Sequence, residues 1–241
     1  MDTKQLLALC KEPYESTRPV YLGKTLFENF PLPQRRSFKD RLEEPGFLQG
    51  ASLFLSDERG CLDEILYDEE GSFRDFAPTQ IEAYLAHGYT LGIRRLQLEQ
   101  GPIRELCLAF IEDGWHAAGA ALFESDTSRG IPWHWDTHPT VILQAVGQAN
   151  WHICPPVFAL ENDAQITDEY RRRNMGEKLT DAEYEQLGQM PNFQIPLEPG
   201  DAVFIPTGWL HKREPQEQAS THILFCPASA AAVVNSAVFE I

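Results

Sequence analysis

Two histidines and an aspartate in this sequence are spaced as metal ligands can be. The segment Ile131-Pro-Trp-His-Trp-Asp-Thr-His138 carries His134 and Asp136 two residues apart. An imidazole and a carboxylate that close, at the mouth of a strand, can grip one divalent cation. A third ligand from a distant strand would complete a two-histidine, one-carboxylate face. Such a face leaves coordination positions open for substrate and O2 and suits non-haem Fe(II). His211 is the candidate third ligand. It ends Pro206-Thr-Gly-Trp-Leu-His211, after the tight turn Leu197-Glu-Pro-Gly-Asp201 and the apolar run Ala202–Ile205. His134 and His211 lie 77 residues apart, so only a folded barrel brings them together.

The elements around these residues are short, apolar and punctuated by Gly or Pro. Ala117–Glu124, Val141–Val146, Trp151–Cys154, Phe193–Pro196, Ala202–Ile205 and His222–Phe225 read as strands of an antiparallel sandwich or barrel over residues 115–241. A helical insertion at about 160–192 interrupts them, with helices at Asp168–Met175 and Thr180–Gly188. The second opens on a capping box, Thr180 and Glu183. Residues 1–114 form a mixed α/β region packed on the barrel. A helix is expected near 3–11, a strand at Ala51–Leu55, a solvated acidic loop at Asp63–Glu70, and a helix at Gln80–His87 capped by Thr79 and stopped by Gly88. A strand follows at Tyr89–Leu98, then a helix at Ile103–Glu112 between Gly101-Pro102 and Gly114.

These motifs, in this order, resemble the JmjC-type cupin oxygenases: the HxD pair, Ile-Leu-Gln-x-x-Gly at Ile142 to Gly147, Trp151, LEPGD and IPxGWxH. The nearest branch is the bacterial cupin group that includes the ribosomal-protein hydroxylases. The resemblance is specific over about 117–227 and loose over 15–115. It implies a mainly β fold, a double-stranded β-helix of the cupin or jelly-roll kind. It also implies Fe(II), 2-oxoglutarate as cosubstrate, and hydroxylation of a C–H bond with release of succinate and CO2. Carried onto this chain, the metal ligands are His134, Asp136 and His211. A carboxylate in the third ligand position leaves no vacancy for chloride, which favours hydroxylation over halogenation.

The sequence departs from that family twice. Family members anchor the distal carboxylate of 2-oxoglutarate with a Lys or Arg two residues before the Trp-like position, and here that position is Ala149 in Gly147-Gln-Ala-Asn-Trp151. A buried carboxylate without a cation or several donors is costly. Arg213 shares the facing of His211 if the strand continues, and Lys212 then faces out. Arg129, Arg94 and Arg95 are further bases, and Thr140, Gln144 and Asn150 are neutral donors for the cosubstrate. Thr140 and Gln144, four apart on one strand, share a face. The second departure is at the end of the chain. Only Ala228–Ile241 follows the last strand, where the ribosomal-protein hydroxylases carry dimerisation and winged-helix regions. That shifts the expected substrate towards a peptide, amino acid or small metabolite.

The other candidates have plainer readings. His138 reads as a hydrogen-bonding or surface residue, His152 as barrel wall, and His87 and His116 as helix-end or loop residues, while His222 opens a strand that could line the site. Trp133, Trp135 and Trp209 flank the ligands as packing or as cavity wall. With 20 Lys+Arg against 36 Asp+Glu, the net charge is −16. That excludes the basic footprint of a nucleic-acid or anionic-membrane binder and favours a cationic substrate. There is no membrane-length apolar run and no signal peptide, and five scattered cysteines without a CxxC read as reduced thiols, so a cytoplasmic protein is expected. A homodimer is left open. Two alternatives stand beside the 2-oxoglutarate enzyme: an Fe(II) cupin dioxygenase or oxidase that does not use 2-oxoglutarate, favoured by Ala149, and a non-catalytic metal-binding cupin module.

Overall fold

The computed structural model describes residues 3–11, 18–24, 51–57, 60–66, 78–98, 101–126, 130–136, 138–156, 180–216 and 219–228. The described strands are β1 (Val20–Gly23), β2 (Ala51–Asp57), β3 (Gly60–Leu66), β4 (Thr90–Ile93), β5 (Ala117–Ser125), β6 (Ile131–His134), β7 (Thr140–Val146), β8 (Ala149–Cys154), β9 (Phe193–Leu197), β10 (Ala202–Ile205), β11 (Leu210–Pro215) and β12 (Ser220–Ala228). The helices are α1 (Thr3–Lys11), α2 (Pro78–Ala86), α3 (Pro102–Glu112) and α4 (Asp181–Leu187). A major sheet runs β1-β10-β7-β12-β5-β4-β2-β3, and a minor sheet runs β6-β11-β8-β9. All the pairings are antiparallel.

Strand alternation sorts the side chains to the two faces of the major sheet. Val141 and Leu143 of β7, Ala202 and Phe204 of β10, Ile223 and Phe225 of β12, and Ala118, Ala120 and Leu122 of β5 join one core. Leu6 of α1, Ile81 and Leu85 of α2, and Cys107 and Phe110 of α3 pack into the same core. Burying each large side chain there contributes roughly 1.5–3 kcal/mol. The residues between these, on the opposite face, meet the minor sheet. Ile142, Val203 and Ile205 pack with Ala149, Trp151, Ile153 and Leu197, closing the two sheets over a shared interior. This is the mainly β sandwich expected.

The N-terminal region is joined to the barrel more closely than packing alone requires. β1 is hydrogen-bonded to β10, and β4 to β5, so strands from residues 20–93 extend the barrel's own major sheet at both edges. Gly60–Leu66, which includes the first part of the expected acidic loop, is a strand paired with β2 in a hairpin. That pairing overrides its Asp63-Glu64 polarity. The expected strand Tyr89–Leu98 is confined to Thr90–Ile93, because Arg95 takes a positive φ of 68° and the chain turns into a short 3-10 segment, Leu96–Leu98. Helix α2 starts at Pro78, so Thr79 lies within it rather than before it. The capping box is present: the Thr180 hydroxyl accepts from the Glu183 N–H, and the Glu183 carboxylate accepts from the Thr180 N–H at 2.9 Å. The expected helix Asp168–Met175 lies outside the described residues.

Gly130, entering β6, shows how tightly the strand carrying His134 is held against β11. Its φ is +57°, and a Cβ there would fall 2.0 Å from the Arg213 carbonyl oxygen. Cys10, Cys107, Cys154 and Cys226 are buried free thiols. Burial pushes the first two up to about 12. Among the described residues, no helix is long and apolar enough to cross a membrane.

Candidate metal centre

The two candidate histidine ligands are cross-strand neighbours. β6 and β11 are antiparallel, and His134 pairs directly with His211. Their rings lie 4.1 Å apart, centroid to centroid, tilted by 57°. Asp136 follows β6 by two residues and is fixed to the next turn, where the Gly208 N–H donates to its carbonyl oxygen at 2.9 Å. One ligand atom from each of His134, Asp136 and His211 lies within 4.8 Å of the others.

Each side chain is oriented by a second contact. His134 Nδ1 lies 2.9 Å from the Pro132 carbonyl oxygen, and His211 Nδ1 lies 3.0 Å from that of Trp209. A carbonyl only accepts, so both Nδ1 atoms carry a proton, and a neutral ring held this way keeps its lone pair on Nε2. Those lone pairs are what a divalent cation needs, and backbone-fixed tautomers are common in metal-binding histidines. His211 Nε2 is 3.5 Å from Asp136 Oδ2, and that oxygen accepts from the Thr140 hydroxyl at 2.9 Å. Burial pushes the His211 pKa down to about 4, reinforced by His134 and opposed by Asp136, so the ring is neutral at pH 7. Burial alone would raise the Asp136 pKa. The neighbouring His138, His211 and His134 and the Thr140 hydroxyl outweigh it and hold the carboxyl below its ordinary value. Two imidazoles that each turn Nε2 away from their backbone contact and one carboxylate make a donor set that fits Fe(II).

Asp201 of the LEPGD turn serves the backbone. It accepts from the Glu198 N–H at 2.9 Å and from the Tyr21 hydroxyl at 2.8 Å. The turn in turn brackets Gln144, whose N–H donates to the Asp201 carbonyl and whose carbonyl accepts from Gly200.

The remaining candidates fall into three groups. The Thr140 hydroxyl positions Asp136. Gln144 and Arg213 face the interior beyond the triad. The Gln144 amide donates to Val146 O at 2.7 Å and to Ser220 Oγ at 2.9 Å. Arg213 is fully buried, donating from Nη2 to Ser220 O at 2.9 Å and from Nη1 to Ser125 Oγ at 3.4 Å. Burial pushes its pKa down to about 9, with Glu124 opposing, so it stays cationic at pH 7. Asn150 lies on the outward row of β8, half-buried and paired across the strands with Glu214 and Pro196. Arg94 and Arg95 follow β4, and Arg129 lies outside the described residues.

Among the histidines, His138 is buried with Nδ1 against the Pro139 carbonyl at 3.3 Å, and His152 pairs with Glu214 at 3.0 Å on the outward row of β8. His222 is buried inward, stacked on Phe123 with centroids 5.2 Å apart and edge-on to Trp151 at 5.1 Å. Burial holds its pKa well below the ordinary imidazole value, and the neighbouring Arg213 acts in the same direction. Sequence reasoning gave no interior role to Ser125 and Ser220. The only available signal is alternation along their strands, which is visible once the register is known.

Comparison with known proteins agrees with this architecture. A family model described as JmjC domain matches residues 97–232. Among curated relatives, the chain is 28% identical over 148 residues to the bifunctional lysine-specific demethylase and histidyl-hydroxylase NO66 of Drosophila persimilis, covering 61% of this chain and 19% of that protein. It is 26% identical over 98 residues to ribosomal oxygenase 2 of Bos taurus, covering 40% of this chain and 18% of that protein. Among solved structures, YcfD of Escherichia coli superposes with a TM-score of 0.59 at 16% identity, over 96% of this chain and 54% of that one. YcfD, described as a ribosomal oxygenase, in complex with cobalt and 2-oxoglutarate gives 0.53 at 16% identity, over 90% and 50%. The chain thus spans about half the length of these solved proteins and under a fifth of the curated relatives. With more than half of its 241 residues matched, the chain belongs to the JmjC domain family.

Proposed function

We propose that this chain is an Fe(II)- and 2-oxoglutarate-dependent oxygenase that hydroxylates a C–H bond, with His134, Asp136 and His211 as the iron ligands. The observation that carries the reading is the convergence of those three ligand atoms within 4.8 Å inside a JmjC barrel, with both histidines already in the ligating tautomer. Bound there, Fe(II) supplies O2 activation, with 2-oxoglutarate as the reductant that leaves as succinate and CO2.

The chain's own residues do the rest. The Pro132 and Trp209 carbonyls hold the imidazole rings in place. The Thr140 hydroxyl leaves Asp136 one carboxylate oxygen clear of its hydrogen bond. Trp209 packs into the interior with Ile142, Trp151 and Val203 and helps to keep bulk water out, which limits side reactions of an oxidising centre, while Trp133 lies on the other face of the minor sheet, against His152 and Lys212.

The substrate class is a peptide, amino acid or small metabolite. The similar proteins, a histidyl-hydroxylase and ribosomal oxygenases, support a protein side chain. The net charge of −16 favours a cationic target.

The test is an anaerobic titration of the Fe(II) protein with 2-oxoglutarate, followed by admission of O2 and assay for succinate. A metal-dependent spectral change and succinate above a His134→Ala control support the reading, and neither signal with any substrate overturns it. A second reading, an iron cupin acting on its substrate without 2-oxoglutarate, rests on Ala149, which is 1% exposed and uncharged where the family places a cation. Failure of 2-oxoglutarate to bind the metal-loaded protein selects it.

A further inference from the structure

We propose that Arg213, with Trp151 and His222 beside it, holds the distal carboxylate of 2-oxoglutarate, replacing from β11 the cation that Ala149 does not supply from β8. This rests on the reading of the centre as a 2-oxoglutarate site.

Four residues just beyond the triad carry polar atoms that are buried and have no partner: Gln144 Oε1, Trp151 Nε1, Arg213 Nε and both ring nitrogens of His222. All four side chains are 1% exposed or less. Buried polar atoms are almost always bonded, so a cluster of orphans marks a place where something else binds.

These orphans form one group. Arg213 pairs across the strands with Trp151, and His222 with Gln144. The Trp151 ring stands edge-on to His222 at 5.1 Å and lies 6.1 Å from the His211 ring, so the group is continuous with the metal ligands. Arg213 is two residues past His211 on the same strand face and reaches across the interior to Ser125 and Ser220 of the major sheet.

Three of the four residues, Arg213, Trp151 and His222, can donate to an anion, whereas Gln144 Oε1 only accepts and its amide N–H groups are spent on Val146, Gly147 and Ser220. Both hydrogen bonds of Arg213 go to neutral oxygens, a hydroxyl and a carbonyl. Glu124 acts on it electrostatically. A buried guanidinium whose bonds all end on neutral oxygens is stabilised by a carboxylate that accepts from it, and its planar fork suits that partner. Trp151 Nε1–H is a second donor. His222, neutral by burial, can donate from one nitrogen.

The neighbouring strand shows why the family position is replaceable. Ala149 and Trp151 occupy the inward row of β8, and each faces a residue of β11, Pro215 and Arg213 respectively. A cation at 149 and one at 213 would compete for this interior. The chain has placed its charge one strand over and left alanine at the first position.

The experiment measures anaerobic binding to the Co(II)-loaded protein, read from the cobalt visible spectrum. The probes are 2-oxoglutarate and 2-oxobutanoate, which presents the same 2-oxo acid to the metal but has no distal carboxylate. The wild type should prefer 2-oxoglutarate by about 100-fold, and Arg213→Met should lose that preference while binding 2-oxobutanoate and Co(II) as the wild type does. Should Arg213→Met fail to fold, Arg213→Lys keeps the charge without the fork and should lose about 10-fold in 2-oxoglutarate affinity alone. Wild-type preference retained in a folded Arg213 variant overturns the anchor and leaves the proposed function standing. Equal binding of the two probes by the wild type also overturns the anchor. A Co(II) protein that binds neither 2-oxo acid overturns the proposed function instead.

Discussion

The two ends of the barrel interior treat their polar atoms in opposite ways. Around the triad, the oriented groups have partners within the chain: His134 with Pro132, His211 with Trp209, Asp136 with Thr140. A few ångströms deeper, Gln144, Trp151, Arg213 and His222 each keep at least one buried atom without one. The first arrangement is a receptor finished in advance, with only metal-facing lone pairs left open. The second is held in place by the fold but completed by a guest. The difference shows how one scaffold separates positioning from recognition. Backbone carbonyls fix the metal-facing rings, so that end depends little on what else is bound. The deeper end carries unspent hydrogen-bonding capacity and so can discriminate among small acids.

Mutations that break one end and spare the other sharpen this contrast. The largest effect is expected from His134→Ala. Contacts in the outer shell of a metal alone are worth roughly 10–100-fold in affinity, so loss of a ligand should exceed about 100-fold. Co(II) titration measures it, and near-native affinity would remove His134 from the ligand set. Thr140→Val frees Asp136 from its hydroxyl donor and should weaken Co(II) by roughly 10–100-fold without altering the ratio of 2-oxoglutarate to 2-oxobutanoate binding. A change in that ratio would place Thr140 at the deeper end. Trp151→Phe removes one donor from the deeper group and should cost roughly 2–12-fold in 2-oxoglutarate affinity, with Co(II) binding unchanged.

The smallest effect is a pH dependence. His222 is held neutral in the folded chain, with its pKa well below the ordinary value. The unfolded chain takes up that proton near pH 6.5, so the folded state is fully favoured above that pH and loses stability as the pH falls below it. Melting of the metal-free protein should drop between pH 7 and pH 5, and less steeply in His222→Gln. Parallel curves for the two proteins would show that this imidazole is not held neutral.

Much of this was legible in the residues, for reasons that differ from element to element. Apolar runs such as Ala202–Ile205 and Val141–Val146 announce strands because both faces are buried. The ligand strands do not: Ile131–His134 and Leu210–Pro215 mix aromatic, imidazole and charged side chains, and only the pairing of His134 with His211 reveals them. Gly60–Leu66 hides its strand for a similar reason, since a hairpin partner tolerates Asp63 and Glu64. Arg213 could be suspected from its two-residue offset from His211. Its company could not, because an unsatisfied nitrogen on Trp151 or His222 is a property of packing and leaves no mark in composition.

The direct pairing of His134 with His211 also bears on folding order. The two residues are 77 positions apart in the chain, so the pocket exists only after a long loop has closed and β6 has found β11. A metal ion therefore meets no preformed site in the nascent chain and cannot speed the search. It acts afterwards, as a clasp across two strands distant in the chain, and its binding energy goes into slowing their separation. The native lifetime of the protein should therefore lengthen with metal supply while its folding rate stays the same.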